Sequence, residues 1–157
     1  MHRLASFGPI ATALLSLVST LSANAQPPAV LDAVISDQRI TIEFDELMKR
    51  APLAADQDFH VAELGRDEHT SHHVVSIRHS EVPHRHDRHD LVVVMLRGSG
   101  TMLQGAEERP IGAGSILYIP RGTRHAFRNA GDEPAIAYAV YTPAFDAEDR
   151  IVTEPEP

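Results

Sequence analysis

From Phe59 to Tyr141 the chain is a succession of short apolar runs, each closed by a turn signal, and none is long enough to build a helix. The runs read FHVAEL, HHVVSIR, LVVVML, GTMLQG, SILYIP, HAFRN and AIAYAVY. Between them stand Glu81-Val82-Pro83, Gly98-Ser99-Gly100, Gly105, Gly112-Ala113-Gly114, Pro120-Arg121-Gly122 and Gly131-Asp132. Short strands at such spacing must bury one face each, and a closed β-sandwich or barrel is the economical way to do so. Upstream, Arg39–Phe44 (RITIEF) alternates with a strand period, and Asp45–Arg50 (DELMKR) offers an N-cap and one or two helical turns before Pro52. No internal repeat or heptad is visible. The expected fold class is all-β, with a short helix near the N-terminus.

The first 25 residues read as a secretory signal peptide. A basic start, Met1-His2-Arg3, precedes an apolar stretch from Leu4 to Leu21, and Ala23-x-Ala25 supplies the small-residue cleavage pattern. A membrane anchor is the alternative, but Gly8, Pro9 and several hydroxyl residues keep this run short of the roughly 20 apolar residues a span needs. The chain has no cysteine, which excludes a lipid-anchored leader, disulfides and thiolate metal ligands. The expectation is export to the periplasm or beyond, with any metal acquired there and no membrane association after cleavage. Residues 26–58 then form an arm, strand and short helix, 59–145 the barrel, and 146–157 an acidic solvated tail. The chain carries 14 basic and 22 acidic residues, a net charge of −8, which argues against nucleic acid as a partner.

Residues 83–90, PHRHDRHD, place three histidines and two aspartates at the head of LVVVML. In a strand, residues two apart share a face, so His84 and His86 aim together, and Asp90 joins them if the strand is unbroken. On that parity Val92, Val94 and Leu96 continue the interior face, and His89 points the other way. A bulge before Gly98 would reverse the facing and let His89 compete with Asp90. Imidazole with carboxylate suits one divalent Fe, Mn, Zn, Ni or Cu ion. The competing reading is a solvated His-rich turn, and His69, His72, His73 and His79 read as surface decoration.

A second stretch, 114–129, reads GSILYIPRGTRHAFRN, the pattern Gly-x5-Pro-x-Gly-x2-His-x3-Asn. It resembles the second motif of the cupin superfamily, and 83–98 resembles the first, His-x-His-x3-(Glu/Asp), an apolar strand, then Gly98. The resemblance covers about 74–142. It implies a double-stranded β-helix, a jelly-roll barrel whose mouth holds one metal ligated by His84, His86, Asp90 and His125. The sequence departs from the family in lacking a Gly before the first motif and in having Asp for Glu at position 90. Homodimers are common in such barrels, so a homodimer is implied by resemblance alone.

Three or four protein ligands leave positions open for water or a small molecule. Two functions follow: a metal-dependent enzyme on a small polar or anionic molecule (dioxygenase, decarboxylase, isomerase or lyase), or a non-catalytic metal or small-ligand binding module. Among the arginines flanking the motifs, Arg78 and Arg124 are candidates for steering an anionic substrate. Tyr118, Phe127, Tyr138 and Tyr141 read as core. Ser-His-Asp, phosphate-loop and dinucleotide signatures are all absent.

Overall fold

The computed structural model describes residues 29–153; the leader expected at 1–25 and the tail residues 154–157 lie outside the described residues. An antiparallel hairpin opens the described chain, β1 (Val30–Ile35) with β2 (Gln38–Glu43). The one-turn helix α1 (Phe44–Leu47) follows, with no side-chain cap at its start. Part of the arm expected ahead of the strand is itself a strand, Val30–Ile35, while residues 26–28 lie outside the described residues.

Two five-stranded antiparallel sheets make the body. One contains β3 (Phe59–Arg66), β4 (Ser71–Ile77), β6 (Asp90–Arg97), β9 (Ile116–Ile119) and β11 (Ala135–Thr142), in the order β3-β4-β11-β6-β9. The other contains β5 (His84–Arg85), β7 (Ser99–Gln104), β8 (Glu107–Gly112), β10 (His125–Asn129) and β12 (Ile151–Val152), in the order β12-β5-β10-β7-β8. The inner faces share one core, to which Val75, Leu91, Ile119 and Ala139 come from the first sheet and Met102 and Phe127 from the second. This is the expected all-β jelly roll. Each large apolar side chain buried there contributes roughly 1.5–3 kcal/mol. A second cluster lies outside the first sheet, where Leu47 and Ala51 cover Val74 and Ile136, with Leu31 and Ile42 of the hairpin packed alongside. The N-terminal segment is a lid on an outer sheet face, away from the barrel interior.

Strand β8 was not among the expected runs because Pro110 interrupts it. It stands at the end of its sheet, where a missing N–H goes unused. On its neighbour β7, Gly100 is required by space: a Cβ there would lie 2.1 Å from the Arg128 carbonyl oxygen and 2.5 Å from the Phe127 ring.

Three expectations are corrected. The interior face of β6 is the odd one: Leu91 and Met95 are buried in the core and Val93 packs against it. Val92 is 37% exposed, and Leu96 turns to the outer cluster. The reason is a bend at Asp87–Arg88 that separates β5 from β6, so the parity of 84 and 86 does not carry to 90. A bulge does occur, between Met95↔Ala137 and Arg97↔Ile136, and it leaves Leu96 unpaired. Second, residues 146–153 are not a solvated tail. Asp146 caps a 3-10 turn over Ala147–Asp149, β12 pairs with β5, and the Asp149 residue is 3% exposed. This segment supplies the pairing that the two-residue β5 would otherwise lack on its outer side. Third, Phe127 and Tyr141 are core and Tyr138 is half-buried against His72, but Tyr118 projects outward from the edge strand β9 at 58% exposure.

Candidate metal centre

Three imidazoles meet at one end of the barrel interior. His84 stands on β5 directly opposite His125 on β10, and His86 follows where β5 ends. Their ring centroids are 4.3 Å apart for His84 and His125, 5.1 Å for His84 and His86, and 5.3 Å for His86 and His125. Ligand nitrogens of the three lie within 4.8 Å of one another. All three residues are buried.

Each ring is aimed by the same device. His84 Nδ1–H donates to the Val82 carbonyl at 3.0 Å, His125 Nδ1–H to Thr123 at 2.9 Å, and His86 Nδ1–H to Asp149 at 3.0 Å. A backbone carbonyl can only accept, so at His86 and His125 Nδ1 carries the proton and Nε2 keeps its lone pair. His84 Nδ1 has both the Val82 carbonyl at 3.0 Å and the donor-only Arg150 guanidinium at 3.3 Å beside it, and the shorter Val82 bond favours the same tautomer. The Nε2 of His86 is buried with no hydrogen-bond partner. An orphaned acceptor costs free energy unless something binds it, and a divalent ion between three such nitrogens fits that need. Burial drives the protonation equilibria the same way. It lowers His84 to about 3, with the nearby His125 and Arg150 adding to the effect. His125 is lowered to about 4 by burial, against its bond to Thr123, and His86 is lowered, again chiefly by burial. Neutral imidazoles are the ligating form.

Asp90 is not with them. Its carboxylate accepts from the Arg121 amide at 2.9 Å and from the Arg121 guanidinium at 2.7 and 3.2 Å, and these bonds hold it at about 2. Together with Gly122 N–H donating to the His86 carbonyl at 2.6 Å, it ties the turn of the second motif to the loop of the first. Gly122 takes φ of +77°, a conformation that favours glycine. The bend at Asp87–Arg88 turns His89 inward in its place. His89 does not join the three; its Nδ1 pairs with the Asp149 carboxylate and its Nε2 lies 3.2 Å from the Ala144 carbonyl and 3.3 Å from the Asp146 amide.

Asp149 is thus a hub. Its carboxylate takes the amides of Asp87 and Arg88 and the ring of His89, while its carbonyl orients His86. Burial alone would push this carboxyl up, but those donors hold it below its ordinary value. His86, His89 and Asp149 also meet a metal-ligand spacing. Since the Asp149 carbonyl already takes the Nδ1–H of His86 and its carboxylate that of His89, we read this group as the support behind the first.

The arginines proposed for anion steering are engaged elsewhere. Arg78 donates to the carbonyls of Gln57 and Ala54, and Arg124 to the Thr153 hydroxyl. His73, expected at the surface, is 3% exposed, with Ser71 bonded to its Nε2 at 2.8 Å. His69 and His79 are exposed as expected, and His72 is half-buried.

A cavity of about 50 Å³, room for a few water molecules, runs inward from the imidazoles between the two sheets, lined by His84, His125, Glu81, Tyr141 and apolar side chains. A larger open groove of about 780 Å³ lies between β8 and β9 and touches none of the histidines. Sequence reasoning missed Glu81 and Asp149. Glu81 sits in a turn where facing has no period, and Asp149 reaches the site from 60 residues beyond His89.

Comparison with known proteins agrees with this fold. The family model described as the cupin domain matches residues 71–141. An uncharacterized protein of Aquifex aeolicus is 30% identical over 112 residues, spanning 71% of this chain and 91% of the relative. Among solved structures, a Klebsiella pneumoniae conserved protein with a double-stranded β-helix domain superposes with a TM-score of 0.61 at 18% identity, over 73% of this chain and 96% of its own. Streptomyces PAC13 with uridine gives 0.57 at 16% identity, over 68% and 88%; a related structure describes Pac13 as a nucleoside dehydratase. KdgF from Halomonas sp. gives 0.55 at 17% identity, over 61% and 88%.

Proposed function

The chain belongs to the cupin superfamily, and we propose that it binds one divalent transition metal through the Nε2 atoms of His84, His86 and His125 and acts there on a small polar molecule. The observation that carries this reading is the shared orientation of the three rings. Three separate backbone carbonyls take the Nδ1 protons, and the buried Nε2 of His86 is left without a partner.

A metal held by three protein ligands supplies a Lewis acid or an activated water at its open positions. The chain's own contribution is steric and electrostatic. The apolar walls of Leu91, Met95, Ile119 and Phe127 exclude bulk water from the inner side, and burial keeps the imidazoles neutral and ready to ligate. Asp149 fixes the third ring. The small cavity and the engagement of Arg78 and Arg124 favour a small ligand whose recognition does not depend on those two guanidiniums.

Metal analysis of protein purified without chelators tests the reading. The expected result is one equivalent of transition metal in the wild type and none in His84→Ala/His125→Ala, with the far-UV signature of the barrel retained in both. A double variant that still takes up one equivalent normally would refute the assignment. Turnover on a panel of hydroxylated small molecules separates an enzyme from a binding module, the latter predicting retained metal and no turnover.

A further inference from the structure

Glu81 is an acid with an unusual address. Its backbone pairs with Phe127, the N–H donating to the Phe127 carbonyl at 2.9 Å, and its side chain turns back so that Oε2 accepts the Phe127 amide at 3.2 Å. The other carboxyl oxygen has no hydrogen-bond partner among the described residues. Glu81 lines the cavity that His84 and His125 also line, and apart from Tyr141 the rest of that wall is apolar. Arg150 acts on it at a distance; its guanidinium lies over the Phe59 ring, 5.2 Å from the centroid, donates to Val82 and stands 3.3 Å from His84 Nδ1, on the far side of that ring from its Nε2. No cation lies within salt-bridge range of Glu81 among the described residues. A carboxyl in an apolar recess without an ion-pair partner is costly to keep, and its position marks it as a functional group.

We propose that Glu81 determines ligand class at this site, turning anions away from the inner side of the three-histidine centre and accepting a hydrogen bond from an uncharged, hydroxyl-bearing molecule. The inference rests on the metal reading above and replaces the anionic substrate expected from the flanking arginines. Any group occupying an open position beside His84 and His125 shares the cavity with this carboxylate. A negative charge there is opposed by on the order of tenfold in affinity, and a neutral ligand is not.

The test uses the full chain loaded with Co2+ over a series from about pH 8 to about pH 10, because burial raises the Glu81 carboxyl while a divalent ion at the centre favours its charged form. Azide and imidazole are titrated separately and followed through the cobalt visible spectrum. Glu81→Gln keeps the shape and the acceptor for the Phe127 amide while removing the charge. It is expected to bind azide about tenfold more tightly than the wild type and to bind imidazole within about twofold of it. Glu81→Asp, which keeps the charge, is expected to remain weak for azide. The inference is overturned if azide affinity is unchanged in Glu81→Gln, or if azide and imidazole affinities move together. Absence of cobalt from the wild type would remove the metal reading and this inference together, whereas normal cobalt uptake with unchanged azide binding removes only the role of Glu81.

Discussion

Acid should unfold the metal-free protein well before its carboxylates protonate, and the histidines set the size of the effect. Burial holds His84 at about 3 and His73 and His125 at about 4 in the folded chain, against an ordinary 6.5. Between these values the unfolded chain binds a proton at each position and the folded chain does not, so stability falls as pH falls. The contribution of each residue is complete above about 6.5 and is lost below it. One pH unit is worth 1.36 kcal/mol per proton, so lowering the pH from about 6.5 to about 5 removes about 2 kcal/mol per histidine. The three together remove about 6 kcal/mol, comparable with the whole stability of many domains. Glu81, raised by burial, acts in the opposite sense and offsets at most one proton. Asp90 and Asp149 are lowered, and their contributions fade only at more acid pH. The measurement is urea unfolding in a chelator at intervals from about pH 7.5 to about pH 5, for the wild type and His84→Gln. The variant's curve is expected to be flatter by about one proton, or about 2 kcal/mol over the range. Parallel curves would show that the ring is not held neutral by its surroundings, and the argument for a ready ligand would fail with it.

Two further outcomes separate the roles of the acids around the histidines. Asp90→Ala should leave metal stoichiometry unchanged and lower the melting temperature, because its carboxylate fastens the Arg121 turn; loss of metal would return Asp90 to the ligand set. Asp149→Ala keeps the carbonyl that orients His86 but removes the acceptor for the Asp87 and Arg88 amides and the His89 ring. It should weaken Zn2+ binding about tenfold, the low end of an outer-shell effect, measured by competition with a chromophoric chelator. An unchanged affinity would mean that His86 is aimed without help from the Asp149 side chain.

The barrel was legible because the strands obey a local rule. Each apolar run and each Gly or Pro turn reports its own conformation, and the spacing of His84, His86 and His125 survives as a pattern in one dimension. The facing of Asp90 and His89 was not legible, since a bend of two residues at Asp87–Arg88 resets the parity and leaves no mark in hydrophobicity. Pro110 concealed β8 because an edge strand tolerates what an interior strand would not. Asp149 was hidden for a different reason. In one dimension it is one acid among several near the end of the chain, and only the pairing of β12 with β5 carries it to the imidazoles.

The family segment ends at residue 141, yet the groups that position His86 and His89 lie between Asp146 and Asp149. Two proteins could therefore share the whole of that segment and still present the third imidazole differently, because its bearing is set by a stretch that the family pattern does not constrain. Swapping that stretch between homologues would retune the proposed centre while its three histidines stayed in place.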